Sequence, residues 1–146
     1  MKLTWLGHAA FSVDNGQARL CLDPHRPGAL NGRFDLPPIQ GPFDAIAISH
    51  PHEDHAGWTP ALGTTRIVEE NAEFSGFSLS FRAVPHDDCG GCKAGFSKLI
   101  KVTTEAGTVV HCGDIGAWDE EDVRWIGRVD ALLVPVGGVF TIDAAL

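Results

Sequence analysis

The sequence predicts a mixed α/β domain in which many short strands accompany one or two helices, as α+β or as layered α/β. Three observations carry this expectation. The 146 residues are 44% hydrophobic, enough to bury one core and leaving little room for a second domain beyond 1–146. Short apolar or alternating runs recur along the chain between turn residues, with 17 Gly and 9 Pro overall. Residues 119–128 carry the charge order of a helix, acidic at the start and basic near the end.

Taken in order, residues 3–6, 10–13 and 18–22 read as strands, and Asn15-Gly16 between the last two is a hairpin signal. Residues 24–42 hold five prolines and three glycines, a density that excludes a helix or a central strand. A stretch of this length in a small domain reads as a functional loop or lid. Residues 44–49 form a short apolar run expected as a buried strand. One or two helical turns are expected before Gly63, then strands at 65–68 and 78–84, the latter closed by Pro85. Residues 99–103 and 108–112 read as a hairpin around Glu105-Ala106-Gly107. In the helix, Asp119 to Asp122 crowd the first turn, Val123 and Ile126 share a face, and Arg124 and Arg128 lie near the end. Residues 131–136 are the last expected strand.

Nineteen acidic against eleven basic residues give a net charge of -8 with no basic stripe, which disfavours nucleic acid as a partner. The acidity also suits bound divalent cations. The longest apolar stretch, residues 131–140, is interrupted by Pro135, Gly137 and Gly138 and is too short to span a membrane. The N-terminal residues lack the pattern of a signal peptide, so a cytoplasmic location is expected. Four cysteines in such a chain are expected as thiols or metal ligands rather than a disulfide framework.

The chemistry concentrates in Ser49-His50-Pro51-His52-Glu53-Asp54-His55, where three His and one Asp follow an expected buried strand. Neutral imidazoles and carboxylates are the usual ligands of zinc and similar divalent ions. In an extended chain residues i and i+2 point the same way, so His50 and His52 can share one ion. The following turn swings Asp54 and His55 toward a neighbouring position.

His50-x-His52-x-Asp54-His55 resembles the signature of the metallo-β-lactamase superfamily. Leu6-Gly7-His8-Ala9-Ala10-Phe11 and Leu22-Asp23-Pro24 resemble N-terminal elements of its UlaG-like branch of metal-dependent hydrolases. His111-Cys112-Gly113-Asp114 and Leu133-Val134-Pro135-Val136-Gly137-Gly138 resemble later motifs, so the likeness runs from Lys2 to the end. It implies an αββα sandwich, truncated at its C-terminal end, with a dinuclear metal site along one edge of two packed sheets. Residue by residue, it implies His50, His52 and His86 as ligands of the first metal and Asp54 and His55 as ligands of the second. Asp114 would bridge the two. Zinc is the implied ion, and His and Asp donors also suit manganese or iron. The implied activity is hydrolysis of a small ester, lactone or phosphoester by a water whose pKa the metal lowers to about 7. Asp54 would orient that water and take its proton. The alternative is a non-catalytic metal-binding subunit that assembles with a partner.

Other residues keep more than one reading. Asp23 either orients a ligand histidine, whose other ring N–H needs an acceptor, or is part of an Asp-Pro turn. His8 either faces the site or packs beside the first strand. His111 is expected to be structural, and nothing singles out His25. Cys21 and Cys112 each stand two residues before an Asp and are expected as buried thiols on that Asp's face. Cys89-Gly90-Gly91-Cys92 reads as a Gly-rich loop with two free thiols, a zinc half-site without a second pair, or a redox-active disulfide.

The superfamily pattern ends with a further histidine, and no histidine follows His111 here. The expectation is therefore one tightly held metal and a second that is weaker or empty. An uncovered apolar edge that includes residues 136–146 is expected to be closed by a homodimer or a partner chain. Light scattering at micromolar concentration is expected to report a dimer, and a stable monomer contradicts that expectation.

Overall fold

The computed structural model describes residues 1–87, 90–138 and 141–143, and within them the strands form two five-stranded sheets. The first sheet runs in the order β1 (Lys2–Gly7), β2 (Ala10–Asp14), β3 (Arg19–Leu22), β4 (Ala45–Ala47) and β5 (Ile67–Val68). Its first three strands are antiparallel, and β4 and β5 add in parallel. In the second sheet β6 (Ala72–Phe74), β7 (Phe77–Pro85), β8 (Phe96–Thr104) and β9 (Gly107–His111) form an antiparallel meander, and β10 (Ala131–Leu133) pairs in parallel with β9. The Asn15-Gly16 hairpin forms as the sequence implies. Asn15 Oδ1 accepts the Gln17 and Ala18 N–H groups, and Gly16 takes the left-handed backbone (φ 86) that glycine tolerates.

Strand alternation builds the layers. On β3 and β4, Leu20, Leu22, Ala45 and Ala47 point inward to meet Phe77, Leu79, Ile100 and Val102 of the other sheet. Cys21 and Ile46 point the other way, into a second cluster with Ile39, Phe43, Ile48 and Leu62. Residues 24–42 supply part of this outer layer. The segment is a packed cover with Ile39 buried, and its one helical turn, α1 (Ala29–Gly32), is irregular, with Leu30 and Asn31 left-handed. The turns expected before Gly63 are a short 3-10 segment, Pro60–Leu62. On the other outer face α2 (Glu120–Ile126) lays Ile126 against Val84, Leu99, Val110 and Cys112. The architecture is the layered one the resemblance implies, with loop rather than regular helix on one outer face.

Several local expectations are corrected. Helix α2 starts at the Asp119 cap, whose side chain accepts from the Glu121 and Asp122 N–H groups. Its inner face is Asp122 and Ile126, however, while Val123 is exposed. Asp122 is drawn inward by an ion pair with Arg82 at 2.5 Å, a polar attraction that hydrophobic spacing does not encode. The edge strand β6 was not anticipated. It is three residues long and joins β7 through Ser75 and Gly76, both left-handed. The final strand stops at Leu133 rather than 136, before Pro135. Cys21 and Cys112 are free and fully buried, and burial pushes both thiols up to about 12. They do not share a face with the Asp residues that follow. Left-handed backbone at Asp23 (φ 41) and Gly113 (φ 53) breaks the period-two pattern, turning those carboxylates away from the outer clusters. Cys92 is disulfide-bonded, so the free-thiol reading fails for it, and Cys89 lies outside the described residues. So do residues 139, 140 and 144–146 of the apolar tail. No described helix is long and apolar enough to cross a membrane.

Candidate metal centre

Five strand-end loops converge at one end of the sandwich. His8 lies between β1 and β2, Asp23 follows β3, residues 49–55 follow β4, His86 follows β7 and Asp114 follows β9. The turn that brings Asp54 and His55 round is closed by the His52 carbonyl, which accepts from the His55 N–H at 2.9 Å and the Ala56 N–H at 2.7 Å.

Three overlapping groups of donors form among the described residues; one, Asp23 with His50 and His55, is tied up in the hydrogen bonds described below, and the other two are open to a cation. His50, His52 and His86 present ring nitrogens within 4.8 Å of one another, and His8, Asp54 and His55 form a second set within the same limit. Asp114 reaches both. Its Oδ2 lies 3.4 Å from His86 Nε2 and 3.8 Å from His50 Nε2, and its Oδ1 lies 3.2 Å from His55 Nε2. All six residues singled out as metal ligands in the sequence are thus brought together.

The donor set fits a cation. Both nitrogens of His86 are buried with no hydrogen-bond partner, although a buried polar atom normally has one, and His55 Nε2 faces the Asp114 carboxylate. His50 Nε2 and His52 Nδ1 face each other at 3.0 Å. Ligands about 2.0–2.1 Å from a tetrahedral zinc lie about 3.3–3.4 Å apart, close to the spacings around Asp114.

Asp23 holds this geometry. Its carboxylate is fully buried and accepts from the Ser49 N–H (2.7 Å), the Ser49 hydroxyl (2.5 Å), His55 Nδ1 (2.8 Å) and His111 Nε2 (2.8 Å). Donation from Nδ1 to Asp23 turns the His55 Nε2 toward Asp114, where loss of its proton would free a donor for a cation. Ser49 Oγ is 2.9 Å from His50 Nδ1, so one carboxylate orients two histidines, one directly and one through a hydroxyl. Ser49, Ser97 (Oγ 3.4 Å from His50 Nδ1) and His111 were not found as parts of the site by sequence reasoning. No spacing marks them, because their partners are distant along the chain. His25 is buried and bonds the Pro37 carbonyl at 3.1 Å, tying the proline-rich segment in place.

The electrostatics follow from this packing. Burial opposes ionisation of Asp23, but the charges and hydrogen bonds of His111 and His55 outweigh it and hold the carboxyl far below the usual range. Burial and the neighbouring His55 keep His50 neutral, with its pKa lowered to about 4. Burial disfavours the His55 imidazolium, yet bonding to Asp114 and Asp23 wins and raises it to about 10. For Asp54, burial is offset by the His8 hydrogen bond and the His55 charge, leaving it at about 2. Asp114 is lowered as well, its burial outweighed by His55, His50 and His86.

Comparison with known proteins identifies the family of the chain. A family model described as the beta-lactamase superfamily domain matches residues 2–146. The chain belongs to this superfamily. A UPF0173 metal-dependent hydrolase from Pyrobaculum aerophilum is 30% identical, the match covering 97% of this chain and 74% of that protein. Another, from Carboxydothermus hydrogenoformans, is 31% identical over 98% of this chain and 75% of its own length. Among solved structures, a Thermotoga maritima protein assigned as a Zn-dependent hydrolase of the metallo-β-lactamase superfamily superposes with a TM-score of 0.72 at 26% identity. That match covers 98% of this chain and 65% of the other. A metallo hydrolase from Ignicoccus hospitalis shares the fold, with a TM-score of 0.68 at 20% identity, covering 97% of this chain and 72% of that one. The chain therefore spans about three quarters of its curated superfamily relatives and 65% of the Thermotoga structure. The P. aerophilum alignment runs to 172 positions against 146 residues, so that relative carries internal residues this chain lacks.

Two outcomes follow. In Asp23→Asn an amide N–H replaces an acceptor, so His55 must switch tautomer and its Nε2 lone pair turns into an N–H. Zinc affinity is expected to fall about 10–100-fold in a chelator competition titration, and unchanged affinity contradicts the role given to Asp23. The second concerns the metal-free chain. Because the His55 pKa is raised, its contribution is complete below about 6.5 and is lost as pH climbs toward 10. Thermal melts in chelator should lose stability from pH 6.5 to 8.5, by up to about 1.4 kcal/mol per unit. This window lies below the range in which the buried thiols contribute. A flat profile contradicts the assignment.

Proposed function

We propose that this chain is a metal-dependent hydrolase whose substrate is a small uncharged ester or lactone with an apolar portion. The observation that carries the reading is Asp114, which stands between two donor sets and lines a cavity of about 600 Å³. Its curated relatives are named metal-dependent hydrolases, which supports the same class. The walls are mostly apolar, formed by Phe11, Leu132, Val134, Pro135 and Val136, and among the described residues no Lys or Arg lines the cavity. Recognition of negative charge would fall to the bound ions alone, while the apolar walls offer contact to an apolar portion, which favours an ester or lactone carrying one.

In this reading His50, His52 and His86 would hold one ion and Asp54 and His55 a second, with Asp114 within reach of both sets. Zinc suits so imidazole-rich a set. Bound divalent cations lower the pKa of water to near neutrality and polarise the oxygen of the bond under attack. The protein's own groups do the rest. Asp54 lines the cavity and is ionised, so its carboxylate can accept a proton from the attacking water. Asp23 fixes His55, and through Ser49 it fixes His50, so neither imidazole reorganises when charge develops. Phe11 and the segment after β10 exclude water from the apolar end of the substrate.

Metal content by mass spectrometry, together with turnover of an ester, lactone and phosphodiester panel, tests the proposal. The wild-type chain is expected to hold at least one zinc and to cleave carbonyl substrates in preference to phosphodiesters. His52→Ala should lower that turnover by more than about 100-fold. Substoichiometric metal without turnover on any member favours a non-catalytic metal-binding subunit instead.

A further inference from the structure

We infer that His8 is a metal ligand, the fourth protein donor to the ion held by Asp54, His55 and Asp114. The inference rests on the metal-centre reading above and deepens it. His8 Nε2 lies 3.2 Å from Asp54 Oδ2, Asp54 Oδ2 lies 3.8 Å from His55 Nε2, and His55 Nε2 lies 3.2 Å from Asp114 Oδ1. These spacings bracket the edge of about 3.3–3.4 Å expected between ligands of one tetrahedral zinc. Without His8, the second donor set supplies three protein atoms among the described residues. With it, the set has the four that a tetrahedral ion takes.

The backbone is shaped to deliver this side chain. The β1–β2 register shifts between Trp5 and Gly7, and an irregularity of this kind commonly re-aims a side chain beside a site. Gly7 (φ 109) and His8 (φ 51) both take left-handed backbone, which is uncommon for a residue carrying a Cβ. The strained turn is pinned by the Trp5 indole N–H, which donates to the His8 carbonyl at 2.8 Å. The ring is held on one side by the edge of Phe34 (centroids 4.6 Å apart) and on another by His55 (5.3 Å). Phe34 comes from the proline-rich segment, which gives that segment a part in positioning the ligand. His8 also lines the cavity and, a third exposed, is the most accessible of the four donors.

The competing role is a hydrogen bond from His8 that merely steadies Asp54. Two variants separate the roles: His8→Ala removes both, and His8→Gln keeps an N–H for Asp54 but replaces the imidazole donor. The metal-free full chain is titrated with Co(II), following its visible absorption, and zinc stoichiometry is read by equilibrium dialysis. The wild type is expected to take up two ions. Both variants should keep the first, which also reports that they fold, and bind the second at least tenfold more weakly, with an altered spectrum for that equivalent. Second-site binding in His8→Gln that matches the wild type overturns the inference, as does a wild type that takes up only one ion. A wild type that takes up no ion removes the metal centre itself, and the role of His8 with it.

Discussion

The structure depends on one buried carboxylate. Asp23 sits at the seam of the two sheets and accepts four hydrogen bonds, two from Ser49, one from His55 and one from His111. Its partners come from the first sheet's β4 loop and from the end of β9 in the second sheet. A carboxylate fully out of water is tolerated only where such donors surround it, and removing them would leave an uncompensated charge. The same bonds that make its burial tolerable fix the ring planes of His55 and, through Ser49, His50. Stability and site geometry therefore rest on the same atoms.

Around that anchor the site is built as a charge balance awaiting cations. Several imidazoles share a small volume with Asp54 and Asp114, and without an ion they can coexist only by dividing protons unevenly. His50 is driven neutral while His55 is driven to the imidazolium. A bound cation would relieve both constraints, because His55 would give up its Nε2 proton to bind it and one ring nitrogen of His86 would gain a partner. The apolar clusters on either side leave these groups little freedom to move apart. On the outer faces Cys21 and Cys112 pack tightly, and left-handed turns at Asp23 and Gly113 then redirect the chain into the site.

What could be read from the sequence divides along the distance between partners. His50, His52, Asp54 and His55 are legible because metal chemistry is written in their close spacing. His86 and Asp114 are single residues far from that motif, and only the resemblance to a known family singles them out in the sequence; the fold brings them to it. The Asp23 hub was half legible. An acceptor for a ligand histidine was foreseen, but Ser49, His55 and His111 stand 26, 32 and 88 residues away, and hydrogen bonds over such separations leave no local pattern. Most strands were legible from alternation and turn residues. The misses have local physical causes: β6 is too short to alternate, an Arg82–Asp122 pair rotates α2 so that Val123 faces solvent, and positive φ at Asp23 and Gly113 overturns period two.

The central claim is that these distant side chains converge to grip a divalent ion. The most direct measurement is anomalous diffraction at the zinc edge from crystals of the chain grown with zinc. The account predicts an anomalous peak at bonding distance from His50, His52, His86 and Asp114. An ordered structure with no peak there, its imidazoles surrounding only water, would contradict it.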